Sequence, residues 1–265
     1  MNDVALTAIG ISIIFAATTL GSAVVFLFAK KSIPPIWNQI FTGFAAGVML
    51  SAAVFGLLTP ALQYEVTYMP IYLIAAIGVI VGALFLWGID KLIPHIHPEQ
   101  QTEEGLPVQM ARTKKMFLAV TIHNVPEGLS VGVVFAIALA SGGMAGARGM
   151  MMSALMLAIG IDIQNIPEGA SVALPVKAET GSTLKGFLFG MGSGIVEPIA
   201  ALLGLLLSFA VIEAMPWALS FAAGCMLYVI AEEVIPEFKD STHHYGVWSF
   251  ILGFALMMCL DVALG

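Results

Sequence analysis

Two glutamates stand in matching sequence contexts 41 residues apart. Glu127 belongs to T-I-H-N-V-P-E-G, and Glu168 belongs to D-I-Q-N-I-P-E-G. The shared N-x-P-E-G pattern indicates an internal duplication of a site element. His123 precedes the first glutamate by four residues and Gln164 precedes the second by four, so each pair lies on one face of a helix. An imidazole or an amide beside a carboxylate can bind a divalent metal ion.

Further oxygen donors accompany the duplication. Asn124 and Asn165 each precede their glutamate by three residues, and Glu197 stands before a proline in G-S-G-I-V-E-P. Imidazole, amide oxygens and carboxylates suit a divalent first-row metal. These motifs contain no cysteine, so a preference for Cu(I) is not expected. Asp162, two residues before Gln164, points elsewhere on the helix. The expected metal-binding residues are therefore His123, Asn124, Glu127, Gln164, Asn165, Glu168 and Glu197, whose paired glutamates could bridge two ions.

The prolines and glycines of the motifs have mechanical consequences. Pro126 and Pro167 have no backbone N–H, so each is expected to kink its helix and to leave one carbonyl free to face a polar cavity. Gly128 and Gly169 let neighbouring helices approach closely. The duplicated elements are thus expected on two kinked helices that cross near the middle of a membrane.

The composition requires a membrane around these helices. Only 10% of the 265 residues are charged and 59% are hydrophobic, with a mean hydropathy of +0.97. Soluble domains carry about 25% charged residues, so a soluble enzyme is excluded. No basic stripe with interleaved aromatic residues is present, so no nucleic-acid partner is expected.

Eight stretches are long and apolar enough to cross a bilayer. The first has no basic leader or small-residue cleavage site, so it indicates a helix and not a signal peptide. We expect an all-α membrane protein whose residues 1–265 form one transmembrane transport domain, with a connecting loop at about 94–114. The predicted spans are 4–29, 36–63, 69–93, 115–140, 149–174, 183–209, 215–236 and 246–264.

The basic residues predict the orientation. Nine of the ten lie in the loops that follow spans 1, 3, 5 and 7, and only Arg148 lies on the other side. Because Lys and Arg accumulate in cytoplasmic loops, both termini are expected outside. The same reasoning places four loop histidines in the cytoplasm, where they could capture metal: His95, His97, His243 and His244.

Several acids lie inside spans without a basic residue near the span centres. An ionised group at the bilayer centre costs about 2.5–3.5 kcal/mol on insertion scales, so protons or a bound cation must neutralise them. The neighbouring His, Asn and Gln favour a cation. Glu232 and Glu233, near the cytoplasmic end of span 7, could form a release path for metal. Ser51 in span 2 could line the path from outside.

The pair H-N-V-P-E-G and Q-N-I-P-E-G resembles the signature of the ZIP (Zrt/Irt-like) metal transporters, and Q-N-I-P-E-G-A-S-V-A-L-P resembles their prokaryotic GufA-like branch. The resemblance covers essentially the whole chain. It implies transport of Zn²⁺, and also Fe²⁺, Mn²⁺ or Cd²⁺, into the cytoplasm through a mid-membrane binuclear site.

The resemblance also implies which residues hold each ion. One ion would bind His123, Glu127, Gln164 and Glu168. The second would bind Asn124, Asn165 and Glu197, with both motif glutamates bridging the two ions. Many family members have His where Gln164 stands, and some have Asp where Asn165 stands.

The family further implies a 3+2+3 bundle in which spans 4 and 5 carry the site, and a possible homodimer. With the prokaryotic branch it implies the plasma (inner) membrane. The metal is then the transported substrate, with no organic cofactor and no enzymatic activity.

Two other functions remain open at this point. A membrane-embedded metal-dependent hydrolase would also use His and carboxylates, although H-E-x-x-H is missing. A proton-coupled transporter of an organic cation would use the same acids as titrating groups.

Overall fold

Eight helices account for most of the structure. The computed structural model describes residues 2–27, 35–96, 103–107, 110–142, 147–210, 214–239 and 243–264. Within these ranges, eight helices are long and apolar enough to cross a membrane. They are α1 (Asp3–Phe26), α2 (Gln39–Leu62), α3 (Ile71–Leu92), α4 (Thr113–Ala140), α5 (Arg148–Thr180), α6 (Thr183–Ser208), α7 (Met215–Val234) and α8 (Tyr245–Ala263).

The predicted eight-span, all-helical fold is confirmed. Every span begins and ends within three residues of its predicted bounds, except that α5 continues to Thr180 instead of ending near residue 174. Pro175 lies inside this extension. The Lys177 ammonium donates to the carbonyl oxygen of Val25 at 2.9 Å, which ties the additional turn to the end of α1.

Several helices change type along their length. Most of these changes lie in α2 and α7, each of which contains a π-helical segment that ends two residues before a proline, Pro60 or Pro236. The α-helical bounds are Asp3–Ala23, Pro35–Ser51, Thr59–Leu62, Ile71–Leu92, Arg112–Ala140, Ala147–Thr180, Thr183–Gly194, Val196–Ala210, Met215–Val229, Ile235–Phe238 and Tyr245–Leu264. The other helical segments are Val24–Phe26 (3₁₀), Ala52–Leu58 (π) and Ile230–Val234 (π).

Glycines bring the helices together in four close pairs. In the pair α4–α6, a Cβ added to Gly128 would lie 2.2 Å from the Glu197 carbonyl oxygen. In the pair α1–α5, a Cβ on Gly169 would lie 2.1 Å from the Thr18 carbonyl oxygen. Gly47 makes the corresponding contact between α2 and α8, and Gly82 makes it between α3 and α7. Backbones this close exclude any side chain at the crossing, as in other membrane helix pairs.

The four pairs follow an inverted repeat. If α1, α2 and α3 correspond to α6, α7 and α8, and α4 corresponds to α5, then α1–α5 becomes α6–α4 and α2–α8 becomes α7–α3. The corresponding helices run in opposite directions, because α1 and α6 are an odd and an even span. Inverted repeats of this kind place a transport site at the repeat interface. Here that interface contains α4 and α5.

A short antiparallel strand pair, which we call the hairpin, lies at one end of the bundle. We call the end at which α1, α3, α5 and α7 finish the basic end, since Lys91 and Lys177 lie there. Beyond α3, His95–Ile96 pairs antiparallel with Glu103–Glu104. Gly105 has φ +79°, and a Cβ there would lie 2.1 Å from the Ile93 carbonyl oxygen, so only glycine fits. This two-residue pairing is a small departure from the expected all-α fold.

Candidate metal site

The Glu197 side chain is the centre of a buried polar cluster between α1, α4, α5 and α6. Asn124 on α4 donates from Nδ2 to Glu197 Oε1 at 3.0 Å, and Asn165 on α5 donates to Glu197 Oε2 at 2.6 Å. The Thr18 hydroxyl on α1 donates to Oε1 at 2.8 Å. All four side chains are fully buried. Three of the expected metal-binding residues therefore meet, together with a threonine that the sequence analysis did not select.

The two asparagines have their amides turned the same way. Besides Glu197, the Nδ2 of Asn124 donates to the Ser193 carbonyl oxygen at 3.1 Å, and the Nδ2 of Asn165 donates to that of Ile14 at 3.2 Å. A flipped amide would place its oxygen against two acceptors, so the chemistry fixes this orientation. In each amide it is therefore Nδ2, and not Oδ1, that bonds to Glu197. Neither Oδ1 has a hydrogen-bond partner among the described residues, although both atoms are buried.

A second contact joins the motif glutamate of α4 to the motif glutamine of α5. Gln164 donates from Nε2 to Glu127 Oε1 in a very short contact, and both side chains are buried. The other oxygen of each group, Gln164 Oε1 and Glu127 Oε2, is buried without a hydrogen-bond partner in the described part of the chain. Glu168 is half-buried one turn along α5, on the same face as Gln164.

His123 is directed toward the basic end of the bundle. Its Nε2 forms a close ion pair with an Oε2 of Glu233, which lies in the π segment of α7. The Glu233 side chain is buried, whereas the neighbouring Glu232 is exposed. Of the two α7 acids expected on a release path, only Glu233 therefore contacts a residue expected to bind metal.

Near Glu233, a buried ion pair joins the hairpin to the end of α3. His95 Nε2 lies 2.9 Å from Asp90 Oδ1, and the Tyr228 hydroxyl donates to Asp90 Oδ2 at 3.0 Å. Burial disfavours the imidazolium, but the Asp90 carboxylate and the Ile93 carbonyl outweigh it and raise the pKa of His95 to about 9. His95 lies in the connecting segment after the third span, as expected, but its side chain is fully buried there.

The other predicted positions are more scattered. His97 lies outside the described residues. His243 and His244 are exposed, and the His243 ring stacks on Tyr245 with centroids 5.5 Å apart. Ser51 is fully buried at the end of the helix that precedes the π segment of α2. Asp162 is half-buried, and its Oδ1 has no hydrogen-bond partner among the described residues.

Among the described residues, no three His, Cys, Asp or Glu side chains lie close enough together to hold a metal ion. The reason is visible in the donor set. His123 is turned to Glu233, the Glu197 carboxylate is held by the two asparagines, and three of the neighbouring polar groups are amides and not carboxylates or imidazoles. The buried oxygens without donors therefore come mainly from amides: Asn124 Oδ1, Gln164 Oε1, Asn165 Oδ1 and Glu127 Oε2.

Thr18 and Asp90 are the polar residues that sequence reasoning missed. A threonine within an apolar span carries no signal, because its hydroxyl is commonly satisfied by its own helix. Thr18 also contacts Glu197 across 179 residues of sequence. Asp90 precedes Lys91 near the end of α3, a position typical of an ordinary interfacial charge. Its position five residues before His95 was the one sequence feature that could have indicated their pairing.

Comparisons with known proteins agree with these features. A family model described as "ZIP Zinc transporter" matches residues 109–261. "Zinc transporter ZIPB" of Bordetella bronchiseptica is 33% identical, with 95% of this chain and 79% of the relative covered. "Zinc transporter GufA" of Myxococcus xanthus is 37% identical over 72% of this chain and 71% of its own length. "Zinc transporter ZIP11" of Xenopus tropicalis is 32% identical over 97% and 96%.

Proposed function

Because this chain belongs to the ZIP family of zinc transporters and to its GufA-like branch, we propose that it carries Zn²⁺ across the membrane through the polar cluster between α4 and α5. The family membership makes the chain an integral membrane transporter of divalent metal cations. Zinc is the metal in the names of the relatives, and Fe²⁺, Mn²⁺ and Cd²⁺ are further candidates. No observation favours a hydrolase or an organic-cation transporter.

The observation that carries this proposal is the set of buried oxygens without donors. An unsatisfied polar atom in a low-dielectric interior costs free energy, so four of them within one duplicated motif require a partner. All four are acceptors, which excludes a ligand that only accepts hydrogen bonds. A cation satisfies them together, and carboxylate, amide and imidazole are ligands for first-row divalent metals.

Two ions can be distributed over this donor set. We assign the first to His123, Glu127, Gln164 and Glu168. The second would bind Asn124 and Asn165 through their Oδ1 atoms, together with Glu197 and the bridging glutamates. We assign the first ion to the Nε2 of His123, which then leaves Glu233, so in this proposal the ion pair and the metal compete for the same nitrogen.

That competition suggests how metal leaves the site. When His123 forms its ion pair with Glu233 again, the first ion loses a ligand on the side of the basic end. Asp90 and His95 lie next along this direction under the hairpin, and they form the remainder of our proposed release path. His97, His243 and His244 lie further out in sequence and would act only after the ion has left the bundle.

The distribution of basic residues supports the orientation that we propose. We place the basic end in the cytoplasm and both termini outside, in the plasma membrane of a prokaryote, since nine of ten basic residues follow odd-numbered spans. Ser51 then lies on the outer part of the path, and we infer inward movement of the metal, as the resemblance to the ZIP transporters implies. We further expect a homodimer, which chemical cross-linking in membranes tests.

Transport by purified protein tests the site. In proteoliposomes loaded with a zinc-sensitive dye, we expect Glu127→Ala and Glu168→Ala to reduce zinc uptake by at least tenfold. Glu179→Ala is the matched control, because this residue lies on α5 but is exposed beyond the site. Uptake by both site variants at the rate of the parent protein would show that the site is elsewhere.

A further inference from the structure

The two oxygens of Glu197 are unequally occupied. Oε1 accepts hydrogen bonds from both Thr18 at 2.8 Å and Asn124 at 3.0 Å, whereas Oε2 accepts one hydrogen bond within the described part of the chain, from Asn165 at 2.6 Å. A carboxylate oxygen has two lone-pair directions. Oε1 is therefore saturated, and only Oε2 has a direction left for a metal ion.

Thr18 is the donor that makes this difference. Each asparagine has a backbone acceptor on a neighbouring helix besides Glu197, and their amides are needed on the metal side as well. Thr18 has no place in the assigned ligand set. Its alternative acceptor, the Ile14 carbonyl oxygen of its own helix, is more distant at 3.3 Å, so the hydroxyl is directed to Glu197.

The backbone around Thr18 leaves this side chain little freedom. A Cβ on Gly169 would lie 2.1 Å from the Thr18 carbonyl oxygen, and a Cβ on Gly194 would lie 2.7 Å from the Thr18 Cβ and Cγ2. Helices α5 and α6 therefore press on Thr18 from two sides, and it is fully buried. The hydroxyl is a fixed donor.

We propose that Thr18 sets the metal preference of the second ion site by restricting Glu197 to a single free oxygen. The inference rests on the proposed function, since it assumes that Glu197 faces a metal. The second site is built from oxygen ligands, which suit six-coordinate, octahedral Mn²⁺, whereas Zn²⁺ commonly takes four ligands. Withholding one carboxylate oxygen lowers the number of ligands available and so favours the ion that needs fewer. Thr18 acts through Glu197 and is a positioning residue.

The test compares zinc and manganese on the same protein. Thr18→Val removes the hydroxyl with little change of shape, so Oε1 keeps only the Asn124 donor and the Glu197 carboxylate can turn toward the ion. We expect the ratio of zinc to manganese affinity, measured as half-saturating concentrations for uptake into proteoliposomes, to fall about tenfold. Thr18→Ser keeps the hydroxyl and should restore the ratio of the parent protein. Thr19→Val is the matched control, because the Thr19 hydroxyl donates only to the Phe15 carbonyl oxygen of its own helix, at 2.8 Å.

The outcomes separate this proposal from the proposed function. A Thr18→Val protein with the parent ratio, or with both affinities reduced equally, would overturn the role in metal preference. If that variant does not fold, Thr18→Ala removes the same hydroxyl without the second methyl group and is judged by the same ratio. Glu127→Ala is measured alongside. If Glu127→Ala transports zinc like the parent, the proposed site itself is wrong. If Glu127→Ala loses uptake while Thr18→Val keeps the parent ratio of zinc to manganese affinity, only the role of Thr18 is refuted.

Discussion

Replacing Glu197 by glutamine removes one acceptor from the polar cluster while keeping its shape. The glutamine oxygen can take the position of Oε1 and accept from Thr18 and Asn124, but its nitrogen then faces the Nδ2 of Asn165, which lies 2.6 Å from Oε2 in the parent. The reverse orientation places two donors against an amide nitrogen and is worse. The Asn165 amide therefore loses the bond that holds its Oδ1 toward the metal.

The size of the effect follows from the bond that is lost. A hydrogen bond to a charged group contributes about 1.5–3 kcal/mol, and about 1.4 kcal/mol corresponds to a factor of ten. We expect Glu197→Gln to weaken binding of the second ion by about 10- to 100-fold. The protein should still fold, because the other amide bonds, from Asn124 to Ser193 and from Asn165 to Ile14, are independent of Glu197.

Calorimetric titration of zinc into detergent-solubilised protein measures this effect. The parent should bind two ions per chain, and Glu197→Gln should bind one ion with parent-like affinity and the second weakly. Glu65→Gln is the control, since Glu65 is exposed and outside the eight helices. Two ions bound by the variant with unchanged affinities would refute the reasoning, because Glu197 would then neither orient the amides nor contribute charge.

Two further predictions concern stability. Gly132→Ala places a Cβ 1.9 Å from the Ala201 carbonyl oxygen at the α4–α6 crossing, so we expect the free energy of unfolding to fall by about 1–3 kcal/mol in thermal unfolding. Gly88→Ala is the control: its added Cβ has nothing within 4 Å, so it should cause no loss and, within a helix, a gain of up to about 1 kcal/mol. His95 has a pKa raised to about 9, so its pairing with Asp90 stabilises the fold fully below about pH 6.5, the ordinary histidine pKa. This contribution to the free energy of unfolding should vanish as the pH rises through 9. Thermal unfolding at pH 6.5 and pH 10 measures the loss in the parent, and Asp90→Asn should show no such pH dependence. Equal losses of stability in the parent and in Asp90→Asn would contradict the prediction.

Hydropathy predicted the spans correctly, and motif spacing named seven candidate ligands that stay a prediction, since both signals are local in sequence. Span ends depend on apolar length, and residues four apart share a helix face whatever the tertiary structure. The end of α5 was missed because a proline usually stops a helix, whereas here Lys177 bonds to Val25 on a distant span. The burial of His95 was not predicted for a similar reason: His95–Ile96 pairs with Glu103–Glu104, and periodicity does not predict such a pairing in a polar segment.

The inverted repeat locates the asymmetry of the proposed second site in one pair of residues. The repeat relates Thr18 to Glu197, because Gly169 approaches the carbonyl oxygen of the first as Gly128 approaches that of the second. It also relates Ile14 to Ser193, whose carbonyl oxygens accept from Asn165 and Asn124. The packing is thus equivalent in both halves, but one half presents a carboxylate and the other a hydroxyl. Two carboxylates here would face each other across the asparagines and repel. A threonine instead donates to the single glutamate, which keeps the symmetric scaffold and concentrates the negative charge on one side of the ion.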